Sequence, residues 1–381
     1  MTGLQPGAPR VTRLILQDFR SYPALDLPVS RGLVALVGEN GAGKTNLVEA
    51  LSLFAAGRGL RRADLGDMAR HGAERFAVSI TLDSSAGEHR LGVGLEPGEA
   101  GRALRRCRID GADAPSSAAF AEFLRLVWLT PDLDGLFRGP AGDRRRFLDR
   151  LVLAIDSRHG ARVNALERAL RSRNRLLEEA SADGIWLDAV ERELAELAIA
   201  VASARRETVE RLDAQLLAGR DDASPFPFAR LSLIGELDEL VASLPAVDAE
   251  DRYRRMLRDG RGRDATAGRT LLGPQATDLA VRHGPKDLPA ETCSTGEQKA
   301  LLLGLVLAHA RLVQAMSGMA PLVLLDEVAA HLDPRRRAAL YDALEALGSQ
   351  VWMTGADPAL FSGLEGRADL FAVSPGRIAG A

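Results

Sequence analysis

At 381 residues and 46% hydrophobic content, the chain is long enough for two or three domains with full cores and too apolar for disorder. Its 49 basic and 52 acidic residues give a net charge of −3, which excludes attraction of the whole surface to nucleic acid and leaves only local patches for such binding. No leader resembling a signal peptide is recognised, and no apolar run of about 18 residues offers a bilayer span. Cys107 and Cys293 have neither metal-ligand nor disulfide-framework spacing, so a compact cytoplasmic protein with no membrane partner is expected.

The first strong element is the apolar run Leu33-Val34-Ala35-Leu36-Val37, which reads as a buried strand. It leads into Gly38-Glu39-Asn40-Gly41-Ala42-Gly43-Lys44-Thr45, the phosphate-loop pattern in its required place between a strand and a helix. Glycines let successive backbone N–H groups turn inward toward a triphosphate, and a helix starting near Lys44 adds its positive end. Lys44 is expected to reach the β and γ phosphates of ATP, and Thr45 to hold Mg²⁺. Of the basic residues only Lys44, Lys286 and Lys299 are lysine, so a lysine stands where a slim point charge fits better than a forked guanidinium.

The middle of the chain carries helical periodicity. Val163, Leu166, Leu170 and Leu177 form one series, and Leu187, Val190, Leu194, Leu197, Val201, Leu212 and Leu216 a second, with Arg and Glu outside. The turn signal Ala182-Asp183-Gly184 between them predicts a short antiparallel hairpin over about 158–217. Ser224-Pro225-Phe226-Pro227-Phe228 ends that pattern, and Asp259-Gly260-Arg261-Gly262-Arg263-Asp264 reads as a polar, glycine-rich loop.

A second chemical centre lies downstream. Cys293-Ser294-Thr295-Gly296-Glu297-Gln298-Lys299 opens a long apolar helix, and such a turn offers hydroxyls and free N–H groups to an anion; an ordinary N-capped core helix fits the same residues. Leu322-Val323-Leu324-Leu325 then reads as a buried strand delivering Asp326 and Glu327 at its C-terminal tip. Asp326 is expected to hold Mg²⁺ through water, and Glu327 to act as the base that orients the attacking water. Gln350-Val351-Trp352-Met353-Thr354 reads as the next strand, with Thr354 near the expected γ-phosphate.

Several of these segments match known proteins. The Ser294–Lys299 turn, about 30 residues before Asp326, resembles the signature motif of ATP-binding-cassette ATPases, which caps the γ-phosphate held by a partner subunit. Ala329-Ala330-His331-Leu332-Asp333 resembles the segment that contacts the opposite subunit in such dimers. Leu14-Ile15-Leu16-Gln17-Asp18-Phe19-Arg20-Ser21-Tyr22, Gly38–Ala50, Gly57-Arg58-Gly59-Leu60-Arg61, Thr130-Pro131-Asp132-Leu133, Gly139-Pro140 with Arg144–Asp149, and Leu272-Gly273-Pro274 resemble the RecF family of bacterial recombination mediators over nearly the whole chain. The chain departs from that family at Gln275-Ala276-Thr277-Asp278, where a His-Arg-Asp-Asp run is usual, and it has no glutamine at the usual cassette Q-loop position.

The resemblance implies an α/β fold: an ABC-type P-loop ATPase head, with a mixed or parallel sheet and helices, plus a second lobe carrying the short antiparallel helical hairpin. Residues 1–150 and 268–381 are expected to form the ATPase lobe, and 151–267 the helical lobe. It also implies a weak ATPase that closes as a homodimer, with ATP held by Lys44 and Thr45 of one copy and covered by Ser294 and Gly296 of the other. DNA at single-strand gaps, loading of the RecA recombinase, RecR- and RecO-like mediators and a part in the SOS response are implied in the same way. The alternatives are an ATPase subunit of another ABC-type machine, either a chromosome or DNA-end protein of the SMC and Rad50 kind or a transporter.

From the residues alone, DNA contact rests on arginine clusters at Arg58, Arg61 and Arg62, at Arg102, Arg105, Arg106 and Arg108, at Arg144–Arg146, and at Arg168, Arg171, Arg173 and Arg175. Aromatic content of 4% gives little for stacking on single strands, so contact with duplex phosphates is the expected form, and a salt-bridged solvated face is the plainer alternative. Arg61 or Arg62, just past the phosphate-loop helix, is in a position either to reach the phosphates and couple DNA to hydrolysis or to be a plain surface arginine.

Overall fold

The computed structural model describes residues 7–97, 103–179, 184–221 and 224–380, and these form two compact units. The first comprises Met1–Asp134, Asp221–Pro227 and Ser294–Ala381, and the second Gly135–Arg220 and Phe228–Cys293. The boundaries expected at 150 and 268 are therefore displaced. Helix Ala141–Ile155 packs on strand Asp278–His283 and on helix Gly184–Ala218, and Arg144 pairs with Asp278 at 2.7 Å. These contacts draw residues 135–150 and 268–293 into the second unit.

Two six-stranded sheets build the first unit. One is antiparallel, in the order Tyr22–Pro28, Arg10–Phe19, Phe76–Ser84, Gly87–Pro97, Ala103–Ile109, Ala112–Ala114. Its inner face follows from period-two alternation: Phe76, Val78, Ile80 and Leu82 are buried on one strand. The other sheet runs Arg377–Gly380, Ala368–Ser374, Leu33–Val37, Val351–Gly355, Leu322–Leu325, Leu126–Leu129, parallel throughout except for the first strand. The last four are buried on both faces, as strands of a covered parallel sheet must be, so they read as near-continuous apolar runs, broken only by Thr354 and Gly355 at the tip of Val351–Gly355. Buried Gln350 ties the sheets together by accepting from the Val11 N–H and donating to the Val11 carbonyl, both at 2.9 Å. One core cluster then runs from Leu14 and Ile80 to Leu36, Leu324 and Trp352.

Helix Thr295–Ser317 is long and apolar enough to cross a bilayer by length and composition, contrary to expectation, but 67% of its apolar window is buried inside the protein. It covers the parallel sheet and serves the core.

The second unit holds the hairpin, helices His159–Glu178 and Gly184–Ala218, which bury Leu166, Ala169, Leu194, Ala198 and Val201 against each other and against Tyr253 and Leu257. Of the expected turn, Ala182 and Asp183 lie outside the described residues, and Gly184 begins the second helix. The segment 259–264 is helical rather than a loop: Gly260 joins helices Ala246–Asp259 and Arg261–Ala267. Two of its charges are drawn inward, since Arg261 pairs with Glu191 and Asp188, and Asp264 with Arg173, while Asp259 and Arg263 stay exposed.

Candidate nucleotide-binding site

Parallel register brings the C-terminal tips of four strands to one edge of the first unit. Leu325 stands beside Leu129 and Met353, and Thr354 beside Leu36. The segments that follow, 38–45, Thr130, Asp326–Glu327 and Thr354, thus share the edge where open α/β sheets bind ligands.

The loop after Leu33–Val37 is shaped by its glycines. A side chain at Gly38 would come 2.2 Å from the Val373 carbonyl oxygen, so only glycine fits. Gly43 has φ 106°, and a Cβ there would meet Ser21 Oγ and Tyr22 Oη at 2.9 Å. Gly43 is also the N-cap of helix Lys44–Ser52, whose end carries no side-chain cap and no acidic residue in its first turn. Free N–H groups at an uncapped helix end suit an anion. Lys44 is 3% exposed, and its Nζ donates to the carbonyls of Gly38 and Glu39 at 2.7 and 2.9 Å, inside the loop. Glu39, Asn40 and Gly41 are exposed, and Ala42 is buried.

Thr45 Oγ1 donates to Asp326 Oδ1 at 3.1 Å, and Thr354 Oγ1 donates to the same oxygen at 2.7 Å. Burial pushes the Asp326 carboxyl above its ordinary pKa, and the charge of Glu327 adds to this against the two hydroxyl donors and Arg61. A buried carboxylate beside a threonine hydroxyl is a hard oxygen pair of the sort that Mg²⁺ takes, so the residues present fit the group. Among the described residues no cluster of three or more His, Cys, Asp or Glu offers another metal site.

Glu327 adopts left-handed backbone angles, φ 55° and ψ 18°, uncommon for a non-glycine residue and found where function holds a chain in place. Its N–H donates to Thr354 Oγ1 at 2.9 Å. Thr354 is 1% exposed and turned toward these two acids, so it meets the site through them. Arg61 reaches Asn46 at 3.3 Å and Glu49 at 3.4 Å on the loop helix.

Ser294 and Gly296 are exposed and make no hydrogen bond to residues 38–45. Ser294 caps helix Thr295–Ser317 in a capping box with Glu297, and its hydroxyl donates to Glu297 Oε2 at 2.9 Å. Ala329 and Leu332 are buried, while the side chains of Ala330 and His331 lie outside the described residues.

Most of the arginine clusters are engaged in the fold. Arg173 is 0% exposed and bonds Glu191, Asp264, Thr270 and the Leu257 carbonyl, which removes it from any DNA surface. Arg144 grips Asp278 and the Gly139 carbonyl, Arg145 bonds the Thr277 carbonyl, and Arg105 bonds the Leu53 and Gly57 carbonyls. Asp278 thereby gives the 275–278 segment a structural role that sequence reading left open. Arg168, Arg171 and Arg175 remain exposed on the hairpin, and Arg102 lies outside the described residues.

Residues 10–377 match the family model for the RecF/RecN/SMC N-terminal domain. A protein of Mesorhizobium japonicum, named DNA replication and repair protein RecF, is 54% identical over 98% of both chains. One of the same name from Rhizobium meliloti is 53% identical over 97% of this chain and 98% of that one. Among solved structures, the recombination mediator RecF with ATPrS, of the RecFOR pathway, superposes with a TM-score of 0.86 at 19% identity, covering 98% of this chain and 99% of that one. An Smc head domain from Pyrococcus furiosus follows at a TM-score of 0.55 and 19% identity, covering 98% and 96%. The fold is that of ABC-type ATPase heads.

Proposed function

This chain belongs to the RecF family of DNA replication and repair proteins, and from that premise we propose that it is an ATP-driven DNA-binding protein of recombinational repair and replication-fork recovery. The observation that carries the reading is the convergence of Lys44, Thr45, Asp326 and Glu327 on one sheet edge, from segments 281 residues apart. Mg²⁺-ATP, when bound, supplies a terminal phosphoanhydride bond that water can break. Lys44 and the backbone N–H groups of Gly41, Gly43, Lys44 and Thr45 would bind and orient the phosphates. Thr45 and Asp326 would hold the Mg²⁺ ion, and Thr354 keeps Asp326 and Glu327 in register. The Glu327 carboxylate takes the proton of the attacking water as its oxygen bonds phosphorus and the bond to ADP breaks.

Exposure of Ser294 and Gly296, with no hydrogen bond to their own phosphate loop, supports a site completed by a second copy. In that arrangement the serine turn of one protomer closes over the triphosphate held by its partner, and slow hydrolysis reopens the dimer. Tighter nucleotide binding by the closed state shifts the population toward it. Duplex DNA, at the single-strand gaps where RecA is loaded with RecR- and RecO-like mediators, is the proposed partner of that state. Light scattering with a non-hydrolysable ATP analogue, without and with gapped duplex, tests this. A doubled mass that retains the duplex is the expected result, and a mass that stays monomeric under saturating analogue overturns it.

A further inference from the structure

Thr130 follows strand Leu126–Leu129 and lies beside Asp326, whose N–H donates to the Leu129 carbonyl at 2.9 Å. It occupies the N-cap position of the short helical turn Pro131–Leu133, where threonine ordinarily accepts a hydrogen bond, yet its side chain makes no capping bond. The residue is 3% exposed, and its hydroxyl has no hydrogen-bond partner in the protein. A buried hydroxyl left in that state is costly, so such groups are commonly satisfied by an ordered water.

Space for one is present. Thr130 lines a small cavity of about 30 Å³ together with Asp326, Glu327 and Lys299, closed on its apolar side by Leu302 and Val328. A water needs roughly 10–15 Å³ of such space and two or more polar partners, which Thr130, Asp326, Glu327 and Lys299 on the lining can supply. Lys299 is itself anchored to Asp134 at 2.8 Å, which fixes the polar wall.

We propose that Thr130 is a positioning residue whose hydroxyl holds a buried water in this cavity, in hydrogen-bonded contact with the Glu327 side of the site, so that the base is kept oriented for hydrolysis. This rests on the reading of Glu327 as the base. The hydroxyl donates to or accepts from the water, which passes the restraint to the carboxylate; no bond is made or broken at Thr130 itself.

The test compares wild type with Thr130→Val, Thr130→Ser and Glu327→Gln. High-resolution crystals of the nucleotide-free protein should show a water within hydrogen-bond distance of Thr130 Oγ1 in wild type and in Thr130→Ser, lost or displaced in Thr130→Val. The valine variant should bind ATP as wild type does, with single-turnover hydrolysis slower by ~10- to 100-fold, as for a base a fraction of an ångström out of place. Serine should restore the rate. A dry cavity in wild-type crystals, a higher Tm for Thr130→Val without loss of rate, or wild-type hydrolysis in that variant would each overturn the inference. Unimpaired hydrolysis by Glu327→Gln would instead strike at the function proposed for the site, whatever the cavity contains.

Discussion

Thr354 Oγ1 donates to Asp326 Oδ1 at 2.7 Å from the tip of the neighbouring strand, which makes a buried hydroxyl one support of a buried acid. The same oxygen accepts the Glu327 N–H, so one side chain sets the position of both carboxylate-bearing residues. Thr354→Val leaves that N–H and the carboxylate each short of a partner, and the expected cost is about 1–3 kcal/mol. Thr354→Ser keeps the hydroxyl and should cost far less. Urea unfolding of the two variants measures the difference, and equal midpoints would mean that the hydroxyl is dispensable.

Asp326 separates binding from stability. Its pKa is raised in the fold by burial, so its contribution to stability is fully present only below the unfolded pKa and is lost as pH rises through the folded value. Stability that the neutral carboxyl contributes in acid is therefore lost on the way to neutral pH, and Asp326→Asn, which keeps a neutral group there, should leave Tm unchanged or raise it. Mg²⁺-dependent ATP binding should fall sharply in the same variant, because the carboxylate proposed to help hold the ion is gone. Calorimetry with and without Mg²⁺ reads both effects, and a lowered Tm with intact binding would reverse the assignment.

The parts of this site that were legible in the sequence are those whose chemistry is local. Gly38, Gly43 and Lys44 lie in one contiguous loop, and buried parallel strands such as Leu322–Leu325 print as unbroken apolar runs. The hairpin showed itself through helical periodicity. Sequence reading did not resolve the six-stranded antiparallel sheet, although Phe76, Val78, Ile80 and Leu82 alternate as its inner face requires. It misplaced Arg173, because an arginine among polar neighbours reads as surface until Glu191 and Asp264, 18 and 91 residues away, close around it. The helical state of 259–264 was hidden for the same reason: its inward charges are satisfied only by the fold. Thr354 was placed at the right strand tip, but its hydrogen bonds to two acids 27 and 28 residues earlier could not be read from spacing.

Gly38 is held by contact rather than by backbone strain. A methyl group there would sit 2.2 Å from the Val373 carbonyl oxygen, so the loop or the strand Ala368–Ser374 must move aside. Gly38→Ala should weaken ATP binding by ~10-fold or more, since backbone N–H groups are aimed by the loop's path. Gly41→Ala meets open space, but at φ 84° it carries backbone strain alone and should be milder. Nucleotide titration of both variants checks the order, which a loop set by dihedral preference alone would reverse.

Arg173 and Arg171 differ by two positions and opposite fates. Removing the buried guanidinium as Arg173→Ala strands Asp264 and leaves Glu191 with Arg261 alone, and about 3–5 kcal/mol of stability should be lost. Arg171 is 67% exposed and only loosely paired with Glu167 at 3.9 Å, so Arg171→Ala should lie within about 0.5 kcal/mol of wild type. Only the Arg171 variant can report on DNA contact by the hairpin. Salt-dependent binding to duplex that is weakened by Arg171→Glu, with Tm unchanged, would place the exposed stripe of Arg168, Arg171 and Arg175 on the DNA surface; unaltered binding would remove it.

Acid should loosen the second unit through Asp149. Burial alone would push this carboxyl up, but hydrogen bonds from His159 at 2.8 Å and from Arg205 at 2.8 Å through two nitrogens hold it below its ordinary pKa. A depressed carboxylate contributes stability above its unfolded pKa and loses it as pH falls through the folded value, so the loss begins below about pH 4. Asp149→Asn should lower stability at neutral pH and flatten its decline in acid, because the ionisable group that drives the decline has been removed. Denaturant midpoints measured from pH 7 down to the acid limb decide the matter. Parallel curves for wild type and variant, separated by a constant offset, would show that the Arg205 and His159 contacts act on the folded chain without linkage to the Asp149 proton.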